Sequence, residues 1–308
     1  TVMVAKDGAK LIDDTAIIAC SGGIDSSVAA VLAHRAVGSL LHCVYVDTGF
    51  MRKNESAEVS EMFQEMGINL KVVDASERFF QELDGITDPE EKRKIIGEQF
   101  IRVFEDEKKL CGAKFLVEGT IAPDWIESGG GERDVIKSHH NVGGLPDDVE
   151  LDIVEPLREF YKDEVRSIAR ELKIKSSERQ PFPGPGLAVR VLGDLTKERV
   201  EACREACSIV EMRLQDAASE GKCDLPWQYF AALLPVRSVG VHGDARVHGE
   251  TVVVRAVTSL DGMSAKYSPI PHDVLSSIST EITNALKGQV NRVVYDITHK
   301  PPGTIEWE

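Results

Sequence analysis

The sequence predicts an α/β protein with a parallel sheet, followed by a smaller α+β C-terminal domain. In the first half of the chain, short apolar runs alternate with amphipathic helical patterns, as is typical of a parallel sheet that helices cover on both faces. A run with three prolines and two glycines at 181–186 then breaks the pattern, because it can form neither a helix nor a central strand. We therefore expect one domain over residues 1–185 and a second over residues 186–308.

The elements of the first domain follow from the spacing of apolar residues. Ala16–Cys20 is short, apolar and unbroken, which indicates a buried parallel strand, and apolar residues from Val28 to Ala36 recur at helical spacing. Further strands are predicted at 40–46, 70–73, 114–118 and 153–154, and further helices at 57–66, 89–110 and 162–172. In such a sheet a ligand binds outside the carboxyl ends of the strands.

The second domain combines fewer helices with several strands. Helices are predicted at 196–218 and 272–286, and strands at 229–236, 251–257 and 292–297. This pattern favours a sheet that is backed by two helices. Cys203 and Cys207 share the apolar face of the first of these helices, so we interpret them as core residues rather than reactive thiols.

Composition limits the partners and the compartment. A formal net charge of −15 argues against a general nucleic-acid-binding protein, which would carry a basic face. No apolar run approaches the roughly 20 residues that span a bilayer, and the first residues begin no secretory signal. The six cysteines show no disulfide framework. We therefore expect reduced thiols, a cytoplasmic location, and neither a nucleic-acid nor a membrane partner.

The run Ser21–Ser27, with the sequence SGGIDSS, joins the first strand to the first helix. Its glycines let the backbone approach a ligand closely, and the N–H groups and positive end of the helix dipole favour an anion. The run differs from the nucleoside-triphosphate loop GxxxxGK[ST], because the lysine is absent. The alternative is a glycine turn that merely connects strand and helix.

Acidic residues and a glycine-rich stretch follow the fourth strand. Asp124 and Glu127 are three residues apart, so their carboxylates would share a helical face that suits Mg²⁺, although a surface acidic pair has the same spacing. Further on, glycines flank the cationic centre around Lys137, which is typical of a mobile lid over phosphates. His139 and His140 are adjacent and point in different directions, so we do not predict zinc.

The last segment of the sequence runs from a strand into a proline–glycine loop. Arg292 and Lys300 there could hold a phosphate monoester. A frayed tail is the alternative, since chain ends are usually disordered. Ile305 and Trp307 argue against that alternative, because large apolar side chains are unusual in a tail.

The SGGIDS run resembles the signature loop of the N-type ATP pyrophosphatases, and the whole chain resembles the ATP-pyrophosphatase part of the GMP synthetase family. The matching segments extend from about Thr15 to Glu308 and are SGGIDSS, EGTIAPDWIES, IKSHHNVGGLP, PLREFYKDEVR, PFPGPGL, LPVRSVGVHGD and NRVVYDITHKPPGTIEWE. The family often carries a glutaminase domain ahead of this part. The resemblance here is to the archaeal arrangement, in which a stand-alone ATP-pyrophosphatase subunit works with a separate glutaminase, although a fragment of a longer polypeptide would look the same.

The resemblance implies a reaction. ATP, with Mg²⁺, would adenylate XMP at its C2 oxygen, and ammonia from the glutamine amidotransferase subunit would then displace AMP to give GMP. The enzyme would be a ligase that forms a carbon–nitrogen bond. The resemblance also implies a homodimer through the C-terminal domain.

The resemblance further implies a role for each matching residue. The ATP-binding residues would be Ser21, Gly22, Gly23, Ile24, Asp25, Ser26, Ser27 and Val46, the last packing against adenine. Catalysis and Mg²⁺ binding would involve Asp25, Asp124 and Glu127, with Lys137 as the cation of the lid. The XMP site would comprise Arg93, Gln228, Arg292, Lys300, Ile305 and Glu306. Arg93 has a second interpretation, because the basic run at 92–94 could equally be a solvated helix face.

Three rival functions share some of these features. NAD and asparagine synthetases, which activate a carboxylate, share the loop but are not expected to carry the KSHHNVGG or KPPGTIEWE segments. Relatives that thiolate tRNA would need reactive cysteines and a basic surface. A catalytically silent ATP-binding module is the rival from another class, and the intact acidic and basic candidates argue against it.

Overall fold

A computed structural model describes residues 14–123, 151–174, 179–260 and 262–308. By compactness, the chain divides into two units. The first takes its described residues from Thr1–Gly49, Asn54–Phe79 and Lys94–Arg179, and the second from Phe50–Lys53, Phe80–Arg93 and Gln180–Glu308. Two short segments from the first half of the chain thus belong to the second unit.

The first unit contains a five-stranded parallel sheet. Its strands are β1 (Ala16–Ala19), β2 (Leu41–Asp47), β3 (Leu70–Asp74), β4 (Phe115–Val117) and β5 (Asp152–Val154), in the order β3-β2-β1-β4-β5. Every neighbouring pair is parallel. The predicted parallel sheet is therefore confirmed, and each predicted strand agrees with the structure to within two residues at either end.

Among the described residues, five helices with given bounds accompany this sheet. They are α1 (Ile24–Val37), α2 (Glu55–Glu65), α3 (Ser76–Glu82), α4 (Pro89–Cys111) and α5 (Lys162–Glu171). All but α3 were predicted from the spacing of apolar residues. Helix α3 has seven residues, of which Phe79 alone is buried, so it is too short and too exposed to produce a helical pattern.

The order of the strands places a crevice at the carboxyl end of β1. Its residues Ala16, Ile17 and Ile18 are almost completely buried, which explains their unbroken apolar sequence. The chain proceeds from β1 to β2 on one side and later reaches β4 on the other side. Ligands of doubly wound sheets bind where the order reverses in this way, and Ser21–Ser27 follows β1 at this point.

The second unit is built on a mixed sheet. Its strands are β6 (Gln228–His242), β7 (Ala245–Thr258), β8 (Lys266–Tyr267) and β9 (Val290–Tyr295). β7 pairs antiparallel with β6 and β8 and parallel with β9. Helix α6 (Lys197–Ser219) packs on β6, and α7 (His272–Ala285) packs on α6 and β9. The predicted sheet with two backing helices is confirmed.

The β6–β7 hairpin is longer than its sequence pattern indicated. The register shifts between Leu234 and Arg237, where Pro235 has no N–H to contribute to the ladder. Beyond that irregularity, Val239 and Val241 are exposed. The outer half therefore lacks the alternation of buried and exposed residues on which the prediction depended.

The thiols occupy the places that their sequence neighbourhoods indicated. Cys20 and Cys43 are buried near the strands of the parallel sheet, and Cys203 and Cys207 are buried on α6. All six cysteines are free. Within the described ranges, no helix combines the length and the apolar character that crossing a membrane requires.

The proline–glycine run at 181–186 forms neither α-helix nor strand, as predicted. It ends at Gly186, whose φ is +66°, and a single 3₁₀ turn over Gly186–Val189 begins there. A Cβ atom on Gly186 would overlap the carbonyl oxygen of Phe50, which also accepts the N–H of Leu187 at 2.8 Å. Both the backbone conformation and the space therefore require glycine at this position.

Gly186→Ala should lower the free energy of unfolding by about 2–5 kcal/mol, since the left-handed conformation costs about 1–2 kcal/mol and overpacking about 1–3 kcal/mol. Gly221→Ala is the matched control. Gly221 also has a positive φ, +71°, but its Cβ would meet nothing within 4 Å. For Gly221→Ala we therefore expect only the loss of about 1–2 kcal/mol that the left-handed conformation causes. Urea unfolding measures both losses. Equal losses would contradict the contact with Phe50.

Candidate functional site

The turn after β1 is closed by its own serines. The hydroxyls of Ser21 and Ser26 are 3.1 Å apart, and the Ser26 hydroxyl donates to the carbonyl of Gly23 at 3.1 Å. The N–H of Gly23 in turn donates to the Ser21 hydroxyl at 3.3 Å. Ser21 and Gly23 are exposed, so the turn presents hydroxyl and backbone groups to its surroundings.

Two glycines let the backbone of this turn lie close to its neighbours. Gly22 has a φ of +76°, and a Cβ there would lie 2.6 Å from Cγ2 of Val59 on α2. Gly119 follows β4, and its Cβ would lie 3.0 Å from the backbone nitrogen of Ser26. The segments that follow β1 and β4 therefore approach each other backbone to backbone, which a larger residue would prevent.

Helix α1 begins at this turn without a side-chain cap. Its N-cap residue is Gly23, which has no side chain to accept a hydrogen bond. The N–H groups of the first helical turn have no carbonyl partner within the helix. Together with the positive end of the helix dipole, they make this end of the helix suitable for binding an anion. The geometry therefore suits the phosphate-binding role that the sequence indicated.

Asp25 lies in the first turn of α1 and faces a cation. Its Oδ2 is 2.5 Å from Nζ of Lys162 on α5. Among the described residues, no hydrogen-bond partner reaches its buried Oδ1, nor the buried hydroxyl of Ser27. A buried carboxylate oxygen without a partner is costly, and such an oxygen is a suitable ligand for a divalent cation.

The other residues predicted for the ATP site divide into two groups. Val46 is buried near the carboxyl end of β2, the strand beside β1. Asp124, Glu127 and Lys137 lie outside the described residues, as does the pair of histidines at 139–140. Within the part of the chain that is described, no group of three or more His, Cys, Asp or Glu side chains could hold a metal ion.

In the second unit, Arg255 holds the last segment of the sequence. Its guanidinium donates to the backbone carbonyls of Thr298, Thr304 and Ile305 at 2.7–3.1 Å and lies 3.0 Å from the carboxylate of Asp296. Arg255 itself is 1% exposed. The alternative of a frayed tail is therefore wrong, because a buried charge anchors this segment at four points.

A second buried arginine holds Glu306. Arg190 donates from Nε and Nη2 to the two carboxylate oxygens of Glu306 at 3.0 and 2.8 Å, and Gln228 donates to Oε1 of the same carboxylate at 2.7 Å. The Arg190 guanidinium also lies 4.1 Å from the ring centre of Phe230. Burial by itself lowers the pKa of Arg190, but the Glu306 carboxylate raises it above its ordinary value.

The remaining residues predicted for the XMP site are all in the second unit. The ammonium of Lys300 donates to the carbonyl of Gly262 at 2.8 Å. Arg292 is exposed on β9 and donates from Nε to the hydroxyl of Ser238 at 3.2 Å. Nε of Arg93 is buried, with Oε1 of Glu90 3.6 Å away. Of the six residues, Gln228 and Glu306 are joined directly.

Comparison with known proteins identifies the family. Residues 3–96 match the model of the NAD synthase family, and residues 215–307 match the model described as the GMP synthase C terminal domain. The chain is 59% identical over 299 residues to a subunit of the GMP synthase [glutamine-hydrolyzing] of Thermococcus kodakarensis, covering 96% of this chain and 94% of that protein. The chain belongs to this family of GMP synthase subunits.

Other relatives agree with this family. The corresponding GMP synthase [glutamine-hydrolyzing] subunit of Thermoplasma volcanium is 53% identical over 298 residues, 96% of this chain and 94% of that protein. The GMP synthase [glutamine-hydrolyzing] of Clostridium perfringens is 54% identical over 304 residues, which make up 97% of this chain but 59% of that protein. The resemblance to the ATP-pyrophosphatase part of GMP synthetases is confirmed.

Several residues that organise the two regions were not singled out from the sequence. Lys162 lies within the PLREFYKDEVR segment but was given no role, although it pairs with Asp25. Arg190 and Arg255 were missed as well. Arg255 had a signal, because it is a lone charge within the apolar run TVVVRAVT, and a charge so placed must be paired if it is buried.

Arg255→Met should destabilise the protein by about 3–5 kcal/mol, the usual loss when one partner of a buried ion pair is removed. The loss should also make residues 296–308 more sensitive to protease. Arg246→Met is the control, because Arg246 is exposed on the same strand. Urea unfolding and limited proteolysis measure the two effects. A tail that is equally resistant in Arg255→Met would contradict the anchoring role.

Proposed function

We propose that this chain is the synthetase subunit of a GMP synthase. It transfers the AMP part of ATP to the C2 oxygen of XMP with release of pyrophosphate, and ammonia then displaces AMP to give GMP. Family membership supports this reaction and the enzyme class, a ligase that forms a carbon–nitrogen bond. The structural observation that carries the proposal is the serine-lined, uncapped turn between β1 and α1.

The turn is the site proposed for the β- and γ-phosphates of ATP. Its backbone N–H groups and the hydroxyls of Ser21 and Ser26 provide donors, and the N-terminus of α1 adds a positive potential. With these two phosphates held, the attacking oxygen of XMP forms a bond to the α-phosphorus as the α–β bridging P–O bond breaks. Pyrophosphate therefore leaves, in contrast to the ADP that transfer of the γ-phosphate would produce.

Mg²⁺ is the divalent cation of this proposal. Asp25 suits it, because one oxygen of its carboxylate is buried at the phosphate turn without a hydrogen-bond partner among the described residues. Asp124 and Glu127, which the family resemblance also assigns, lie outside those residues. When bound, Mg²⁺ supplies charge neutralisation for the phosphates and the leaving pyrophosphate. Lys162 neutralises the other oxygen of Asp25, which limits the repulsion between this carboxylate and the phosphates.

XMP is proposed to bind in the second unit. Lys300 and Arg292 provide cations for its phosphate, and Arg93 provides a buried Nε without a hydrogen-bond partner among the described residues. Glu306 already accepts three hydrogen bonds, two of them on Oε1, so Oε2 has capacity for a further donor from the substrate. Gln228 is 4% exposed and its amide donates to Glu306. We therefore propose that Gln228 orients the Glu306 carboxylate and does not itself contact XMP.

The proposal includes partners beyond the nucleotides. A separate glutaminase subunit supplies ammonia, which agrees with the relatives that are themselves single subunits of a GMP synthase. A homodimer through the C-terminal domain and a cytoplasmic location are further parts of the proposal. The free cysteines support the latter, since disulfides are rare in reducing compartments. Lys137 remains the proposed cation of a lid over the phosphates.

The proposed reaction predicts its products. With XMP, Mg-ATP and ammonium, the purified protein should release AMP, pyrophosphate and GMP in equal amounts, and glutamine alone should support no turnover. Pyrophosphate release and nucleotide chromatography measure this, with aspartate and deamido-NAD in place of XMP as controls for carboxylate-activating relatives. Formation of ADP and orthophosphate, or equal turnover with a carboxylate, would contradict the proposal.

Gly119→Ala tests the close approach at the phosphate turn. Its Cβ would press on the backbone of Asp25 and Ser26. We expect the KM for ATP to rise by about 10- to 100-fold, because a misplacement of about 1 Å can cost up to about 100-fold. Gly97→Ala, in helix α4 with nothing within 4 Å of its Cβ, should leave the KM unchanged. Steady-state kinetics with varied ATP measures both. An unchanged KM in Gly119→Ala would remove this turn from ATP binding.

A further inference from the structure

Lys92, in the first turn of α4, has a completely buried side chain. Its ammonium donates to the carbonyl of Val191 at 2.9 Å and to Oε2 of Glu308 at 2.6 Å. The other oxygen of Glu308 accepts the N–H of Gly193 at 3.3 Å. One ammonium therefore joins three segments of the second unit: the start of α4, the stretch at 191–193 and the last residue of the sequence.

Each of these segments leads to residues proposed for the XMP site. Arg93 is the next residue on α4. Arg190 immediately precedes Val191 and holds the carboxylate of Glu306. Glu308 lies two residues beyond Glu306. A displacement of Lys92 would therefore also move Arg93 and the carboxylate of Glu306, which both belong to the proposed XMP site.

The stretch around Val191 is also fixed to the sheet. The N–H of Leu192 donates to the carbonyl of Leu233 at 3.0 Å, and the N–H of Leu233 donates to the carbonyl of Arg190 at 2.7 Å. Leu233 lies on β6, the strand that begins at Gln228. Through Lys92 and the stretch at 190–192, the start of α4 and Glu308 are therefore connected to β6, the strand that carries Gln228.

We propose that Lys92 is a positioning residue for XMP, which it serves by fixing Arg93 and the segment of Glu306 relative to each other. This inference rests on the proposed function. A buried ion pair gives little net stability, because removing two charges from water offsets their attraction. Burial lowers the pKa of Lys92, and the Glu308 carboxylate acts in the opposite direction. Two apolar side chains of similar volume in place of Lys92 and Glu308 would avoid this penalty, so the ion pair adds a defined geometry rather than stability.

Lys92→Met tests the inference. With ammonium as nitrogen donor, pyrophosphate release is measured with XMP varied at saturating ATP, and with ATP varied at saturating XMP. We expect the KM for XMP to rise by about 10- to 100-fold, because a displacement of about 1 Å can cost up to about 100-fold, with little change in the KM for ATP. A purely structural role would lower the folded fraction and kcat while leaving the ratio of the two KM values unchanged.

Lys94→Met is the matched control, because Lys94 is exposed two residues further along the same helix. Both KM values should remain within about twofold of wild type, as is usual for surface substitutions. If Lys92→Met does not fold, Glu308→Gln tests the same contact with one acceptor retained, and a smaller rise in the KM for XMP is expected.

The outcomes separate the two proposals. An unchanged KM ratio in folded Lys92→Met or Glu308→Gln, or an equal rise in Lys94→Met, would overturn the positioning role while wild-type turnover upholds the proposed function. Wild-type protein that releases no pyrophosphate with XMP would overturn the function, and the inference with it.

Discussion

The second unit depends on burying positive charge against the last segment of its own sequence. Arg190, Arg255 and Lys92 are each at most 1% exposed, and each is hydrogen-bonded to acceptors that this segment supplies. Taking an ion out of water carries an effective penalty of several kcal/mol, which good geometry and further hydrogen bonds can offset. The segment is therefore held by hydrogen bonds, which fix both the direction and the distance of its acceptor atoms. Neither a hydrophobic contact nor a single exposed ion pair would fix so many of its atoms.

The first unit positions its candidate site by different means. There the backbone itself is the proposed binding element, and glycines keep side chains away from it. Gly22 and Gly119 leave room for neighbouring atoms that a Cβ would displace. Gly23 leaves the N-terminus of α1 without a side-chain cap. Such a site can be recognised from a short sequence, because a few consecutive residues after one apolar strand determine it. The site of the second unit is assembled from residues that are far apart in sequence.

This contrast explains how much the sequence could predict. The five parallel strands and the backing helices of the second unit follow from apolar spacing, and the candidate phosphate-binding turn follows from its local sequence. The pairing of Lys92 with Glu308 spans 216 positions, and no local pattern distinguishes a buried Lys92 from a lysine on a solvated helix face. The same holds for Gln228, which the family resemblance assigned to substrate and whose amide donates to Glu306 in the structure. Local patterns predict elements well because periodicity is local, whereas the partner of a buried charge is set by the folded arrangement.

The distribution of charge gives these buried contacts a functional meaning. The chain carries a formal net charge of −15, so an anionic nucleotide meets an unfavourable overall field and must be held by local cations. The cations fall into two classes. Lys92, Arg190 and Arg255 are each paired with a carboxylate of the protein, so they fix the shape of this region rather than bind an added anion. Cations that donate a hydrogen bond to a neutral acceptor, such as Arg292 and Lys300, have further N–H groups that a ligand could accept from. Neutralising a buried cation with an internal carboxylate keeps it from competing for a phosphate group. Under the proposed function, the two classes together would hold a nucleoside monophosphate in one orientation on a strongly acidic protein.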